Sequence, residues 1–99
     1  MTLIEKNIEQ IRQLCLKHKV DKLFVFGSIL TNDFSQKSDV DFVVDFNNVG
    51  IPEYADNYFD LKFALEEIFK RDVDLLEDKA IRNPYLRKSI DSSKILVYG

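Results

Sequence analysis

Aspartate is depleted from β-strands and is rarely buried without a partner. Yet Val40 to Phe46, with Asp39 at its head, reads as a strand punctuated by aspartates. Val40, Phe42, Val44 and Phe46 share one face, and Asp39, Asp41, Val43 and Asp45 share the other. Asp72 and Asp74 repeat the pattern just ahead of Leu75-Leu76. Residues i and i+2 lie roughly 6.6 Å apart along a strand, and two carboxylates that close repel unless a positive charge lies between them. Magnesium is the natural counter-charge, because it takes hard oxygen ligands and often bridges carboxylates to substrate phosphates. A strand with one solvated face accounts for an isolated Asp-x-Asp equally well, so the neighbouring segments must decide.

Leu23 to Phe26 is a short apolar run stopped by Gly27, a buried strand leading directly into Gly27-Ser28. Glycine there lets the backbone approach a ligand, and the amides that follow can receive phosphate. Ser28 to Phe34 fits a turn or a short helix. Residues 2–18 place Ile4, Ile8, Ile11 and Cys15 at helical spacing, with Leu14 flanking them. Thr2 and Glu5 have capping-box spacing, and Lys17, His18 and Lys19 fall in the last turn. A longer helix is predicted from about Pro52 to Phe69, with the stripe Tyr54, Tyr58, Leu61, Leu65 and Ile68. Val73–Leu76 and Ile95–Tyr98 read as strands, and Asn83-Pro84 starts a helix carried to about Asp91. The order α-β-(α)-β-α-β-α-β implies an α/β (α+β) sandwich with a sheet of about four strands packed with helices. Alternation alone leaves open whether that sheet is parallel or mixed.

At 99 residues the chain is expected to form one domain, residues 1–99. Eight Phe and four Tyr exclude a chain that stays solvated. A net charge of −3 argues against strong nucleic-acid binding, since counterion release needs a basic surface. Cys15, alone, cannot form an internal disulfide or a cysteine zinc site and reads as packing. No apolar run approaches the ~20 residues of a bilayer span, and Glu5 and Lys6 do not suit a signal peptide. The expectation is a cytoplasmic protein without membrane association. His18 is expected at the surface, and Arg82, Arg87, Lys88 and Lys94 as a solvated basic face.

Phe24-Val25-Phe26-Gly27-Ser28 followed by Ser38-Asp39-Val40-Asp41-Phe42-Val43-Val44 resembles the signature of the DNA polymerase beta-type nucleotidyltransferase superfamily. The size, the Arg71-Asp72-Val73-Asp74-Leu75 segment and the closing Pro84-Tyr85-Leu86-Arg87 to Tyr98 resemble its minimal members, the MNT proteins. Those are antitoxins often paired with HEPN-domain toxins. The resemblance implies a mixed nucleotidyltransferase-type sheet, with Gly27 and Ser28 at the nucleotide phosphates. It makes Asp39, Asp41 and Asp74 the catalytic carboxylates and the ligands of two Mg2+ ions. Alternation cannot choose between Asp72 and Asp74; the family pattern chooses Asp74. Asp45 lies about 13 Å beyond Asp41, too far to share a metal, and reads as strand-end solvation.

The implied reaction is attack of an acceptor hydroxyl on the α-phosphorus of ATP or another nucleoside triphosphate, leaving AMP on the acceptor. The acceptor implied is a tyrosine of a partner HEPN toxin. The alternative is a weakly active or inactive binding module that neutralises a partner by complex formation. It draws on one departure: Thr31 and Asn32 stand where many minimal members carry Arg-Gly. Lys37, the nearest replacement cation, reads as solvated. Phe59 and Phe63 fall roughly opposite the long helix's main stripe, flanked by Asp56 and Glu66. They are expected either to form an interface with a HEPN partner or a second copy, or to be covered by the first helix or the C-terminal segment.

Overall fold

The computed structural model describes residues 2–99. Helices α1 (Thr2–Lys6) and α2 (Ile8–Lys17) lead into strand β1 (Val20–Phe26), a 3-10 turn (Gly27–Leu30) and strand β2 (Val40–Phe46). Helix α3 (Ile51–Phe69), strand β3 (Val73–Glu77), a second 3-10 turn (Asp78–Ala80), helix α4 (Pro84–Ser93) and strand β4 (Ile95–Tyr98) complete the chain. The sheet order is β3-β2-β1-β4. β1 runs antiparallel to β2 and β4, and β2 runs parallel to β3. The sheet is therefore mixed, and α3 is the crossover that the parallel pair requires.

The alternation in β2 builds the core as expected. Val40, Phe42, Val44 and Phe46 are buried with Leu23 and Val25 of β1 and Val73 and Leu75 of β3. Against them pack Ile11 and Cys15 of α2 and Leu61, Leu65 and Phe69 of α3, with the Phe42 and Phe69 rings stacked at 5.9 Å. Each fully buried aliphatic or phenyl side chain contributes about 1.5–3 kcal/mol. Burial pushes the Cys15 thiol up to about 12, so it stays protonated and apolar at neutral pH, as a packing residue should. The other face is thinner. Val43 and Ile90 are buried outside the main cluster, and the Lys94 ammonium lies 4.4 Å from the centre of the Phe24 ring, which places the end of α4 on that face.

Several local expectations need correction. The first helix is two helices: the Asn7 side chain donates to the Leu3 carbonyl at 2.9 Å while its own amide bonds Ile4 O, one residue short of helical register. Thr2 lies inside α1, not at its cap. His18 is not at the surface but 6% exposed, with Nδ1 bonded to Leu14 O at 2.7 Å. Asn57 of α3 donates to the His18 carbonyl and fixes the helix end from the far layer. β1 starts three residues earlier than its apolar run, because Val20 and the exposed Lys22 still pair with Phe46 and Asp45 of β2, with the exposed Asp21 at the register shift between them. Of the four C-terminal cations, Arg82 and Lys88 are exposed as expected, but Arg87 and Lys94 are not free. Arg87 pairs with Asp78 at 2.8 Å and Asp91 at 3.3 Å, and Lys94 pairs with Asp91 at 2.9 Å.

Candidate active site

The parallel pairing of β2 with β3 sets Asp41 directly beside Asp74, and the antiparallel pairing of β1 sets Phe26 beside Asp41 on the other side. Laterally paired residues point to the same face of a sheet. Asp41 and Asp74 therefore project together from the thinly covered face, and the chain leaving β1 turns at Gly27 beside them. Register decides what alternation could not: Asp74 is the neighbour of Asp41, while Asp72 contributes its carbonyl, which accepts from the Val40 amide at 3.2 Å. Asp39 is exposed at the mouth of β2. Asp45 belongs to the opposite end of the strand, where Lys79 approaches it at 3.4 Å, so it is ion-paired, not simply solvated.

Gly27 is required by geometry. Its φ is +80°, and a Cβ built there would overlap Asp41 Oδ2 and come 3.1 Å from Asp41 Cγ. The glycine thus lets the Gly27–Leu30 turn close against the carboxylate. Thr31, which stands where a loop arginine was looked for, has a structural role. Its amide and its hydroxyl both donate to Ser28 O, at 2.9 and 2.8 Å, and its Oγ1 accepts from the Asp33 amide at 3.2 Å. The turn is held by these bonds and brings no cation to the site.

The electrostatics follow from the packing. Burial first, then Asp74, then Asp39, push the Asp41 carboxyl above the usual aspartate range. A cation between the carboxylates removes the penalty. The donor set is carboxylate oxygen throughout, which suits magnesium, and the missing Gly27 side chain lets the Asp41 carboxylate lie against the turn. Among the described residues, no three acidic, histidine or cysteine side chains are gathered tightly enough to enclose an ion as they stand. The residues fit a metal in chemistry, with the exposed Asp74 paired beside Asp41 and the exposed Asp39 two positions ahead of it, at the head of the same strand.

Two supports of the site were not found by sequence reasoning. Edge strand β3 is pinned at its start by Glu66 of α3, whose Oε2 accepts from the Val73 amide at 3.0 Å, and further along by the Tyr58 hydroxyl donating to Leu75 O. Arg71 donates from Nη1 to the carbonyls of Ser35 and Ser38, each at 2.9 Å, and lies 4.7 Å over the Phe34 ring. Its only signal was a cation next to Asp72-Val73-Asp74. Phe59 and Phe63, by contrast, stand where the helical spacing put them: 48% and 57% exposed, stacked on each other at 5.9 Å, and covered by neither the first helices nor the C-terminal segment.

Comparison with known proteins bears on the family and the fold. The family described as "Polymerase beta, Nucleotidyltransferase" matches residues 9–99. An inferred protein adenylyltransferase of Methanocaldococcus jannaschii is 33% identical over 100 residues, covering 93% of this chain and 99% of the relative. A solved minimal nucleotidyltransferase superposes with TM-score 0.77 at 27% identity, covering 96% of this chain and 95% of its own. A toxin–antitoxin structure with AMP-PNP gives 0.72 at 20% identity, covering 94% of this chain and 73% of that one. A complex of tri-AMPylated Shewanella oneidensis HEPN toxin with MNT antitoxin gives 0.66 at 18%, covering 97% and 72%. At those lower identities the likeness is one of fold. A match over residues 9–99, with the fold and the aspartate register, decides the family: the chain belongs to the polymerase beta nucleotidyltransferase family and is a nucleotidyltransferase.

Proposed function

We propose that this protein is a magnesium-dependent protein adenylyltransferase that moves AMP from ATP to a tyrosine hydroxyl of a HEPN-domain partner, silencing that partner as an antitoxin does. The observation that carries the reading is the lateral pairing of Asp41 with Asp74 beside the Gly27 turn. The naming of the M. jannaschii relative and the adenylylated HEPN toxin in the S. oneidensis complex support the acceptor class.

Asp39, Asp41 and Asp74 would hold Mg2+, which supplies positive charge to the triphosphate and to the attacking oxygen. Gly27 and Ser28 lie against the phosphates, the glycine by admitting their close approach to the backbone. Asp74 takes the proton of the acceptor hydroxyl as its oxygen bonds to the α-phosphorus. The bond from that phosphorus to the bridging oxygen breaks, and pyrophosphate leaves. Positioning and charge carry the rest, because phosphoryl transfer needs little covalent help from the protein. The second reading, a binding module, rests on Thr31: the turn it braces offers the triphosphate no cation.

The test is incubation with α-labelled ATP, magnesium and a lysate of the source cells. The expected result is one labelled protein, identified by mass spectrometry as a HEPN-domain protein carrying AMP on tyrosine. No label from any of the four nucleotides, with the protein folded, would favour the binding module.

Phe59 and Phe63 form the partner surface in this reading: two stacked rings on the solvent side of α3, with Asp56 and Asp60 beside them, suit an apolar patch ringed by basic residues. Replacing both with serine should leave Tm within about 2 °C of the parent, as expected for exposed sites, while labelling of the partner falls at least tenfold. A large loss of stability instead would place the rings in the core.

A further inference from the structure

We infer that Arg71 is a positioning residue of the transfer site, clamping the loop that delivers Asp39. This rests on the reading of Asp39 as a metal ligand. The loop between the Gly27–Leu30 turn and β2 contains no regular element, yet it must present a carboxylate to a metal with sub-ångström tolerance. Part of its order is internal. The Ser35 amide donates to Ser38 Oγ at 3.0 Å, and the Ser38 amide donates back to Ser35 O at 3.1 Å. That ring of bonds fixes the loop's shape but ties it to nothing else.

Arg71 supplies the external tie. One guanidinium nitrogen bonds the carbonyls at both ends of the Ser35–Ser38 turn, and the centre of the group lies over the Phe34 ring. The Ser38 carbonyl belongs to the peptide that leads into Asp39. On the other side of Asp39, the Val40 amide bonds Asp72 O, from the residue after Arg71. Asp39 is thereby held on both flanks by two consecutive residues ahead of β3, the strand that carries Asp74.

The anchor is itself rigid. Lys70 ends α3 in the left-handed conformation (φ 55°) with its amide on Glu66 O, and the Glu66 carboxylate holds the Val73 amide. Arg71 forms no ion pair with a carboxylate among the described residues. Its charge is committed to two carbonyls through one nitrogen and to a ring, against which a weakly hydrated guanidinium packs better than the compact, strongly hydrated ammonium of lysine.

The experiment uses the full chain and its Arg71→Ala, Arg71→Lys and Phe34→Leu variants. Four quantities are read: amide hydrogen exchange over residues 34–40, Mn2+ affinity without nucleotide, and kcat and KM for AMP transfer. Arg71→Ala should speed exchange of the Ser38 and Val40 amides at least tenfold while core amides of β1 and β2 keep their protection. Mn2+ affinity should fall about tenfold, and kcat up to about a hundredfold, the scale of a catalytic group displaced by an ångström. Arg71→Lys should restore little of either. Phe34→Leu, which keeps both hydrogen bonds, should move the same readouts less and covers the case in which Arg71→Ala fails to fold. Unchanged exchange and Mn2+ affinity in Arg71→Ala would overturn the inference, as would full rescue by lysine, which would reduce the role to charge. Asp39→Asn separates the two assignments. If it leaves Mn2+ affinity intact, the metal-ligand reading fails and this inference with it; if it abolishes binding while Arg71→Ala does not weaken it, only the clamp fails.

Discussion

The Asp39→Asn/Asp41→Asn double variant should lose AMP transfer by at least 10²–10³-fold, roughly the loss seen when one preorganised electrostatic partner is removed, and should be more stable than the parent without divalent cation. The two effects have one cause. Asp41 is partly buried among like charges that push its carboxyl up, so at neutral pH the ionised form costs the empty site folding free energy. Asparagine keeps the shape and removes the charge. Thermal melts in EDTA should show a higher Tm for the double variant. Adding Mg2+ should raise the Tm of the parent and leave the variant's unchanged, since a ligand stabilises only the state that binds it. A variant that melts lower than the parent in EDTA would mean that the carboxylates brace the fold. Equal Mg2+ shifts in both proteins would move the metal elsewhere.

The second large effect is expected at Gly27. Gly27→Ala must place a side chain at φ +80° and against Asp41, whose carboxylate lies where the new Cβ would stand. Backbone strain of this kind costs about 1–3 kcal/mol, to be read as a lower urea midpoint. Transfer should fall further than stability, because relief of the overlap requires the turn or Asp41 to move, and both belong to the site. Activity and midpoint both unchanged would mean that the turn has slack to spare and does not shape the phosphate pocket.

Much of this architecture was legible from side-chain periodicity. β2 begins at Val40 and ends at Phe46 as its alternation requires, and β4 and the Asn83-capped start of α4 likewise stand where the sequence places them. Such features are local: each depends on which residue types recur at period 2 or 3.6 and on the chemistry of the adjacent turn. What escaped depends on distant partners. The burial of His18 needs α3 folded over it, and the nearest evidence, Asn57, lies 39 positions away. Arg71, quoted only as part of the segment ahead of β3, carried no role of its own because the carbonyls it binds lie 33 and 36 positions upstream. Thr31 read as a missing arginine, although its hydroxyl ties the very turn on which the phosphate site depends.

The sequence by itself determined that carboxylates would alternate with core residues on one strand, and that a glycine turn would precede them, because side-chain direction in a strand is fixed by parity alone. Parity left Asp72 and Asp74 open; the family resemblance favoured Asp74, and the tertiary structure sets Asp74, not Asp72, beside Asp41. Both have the same parity, and what separates them is the offset at which β3 docks on β2. That offset is set by the packing of Val73 and Leu75 against α3 and by the Glu66 and Arg71 contacts at the start of the strand, interactions that no single segment contains.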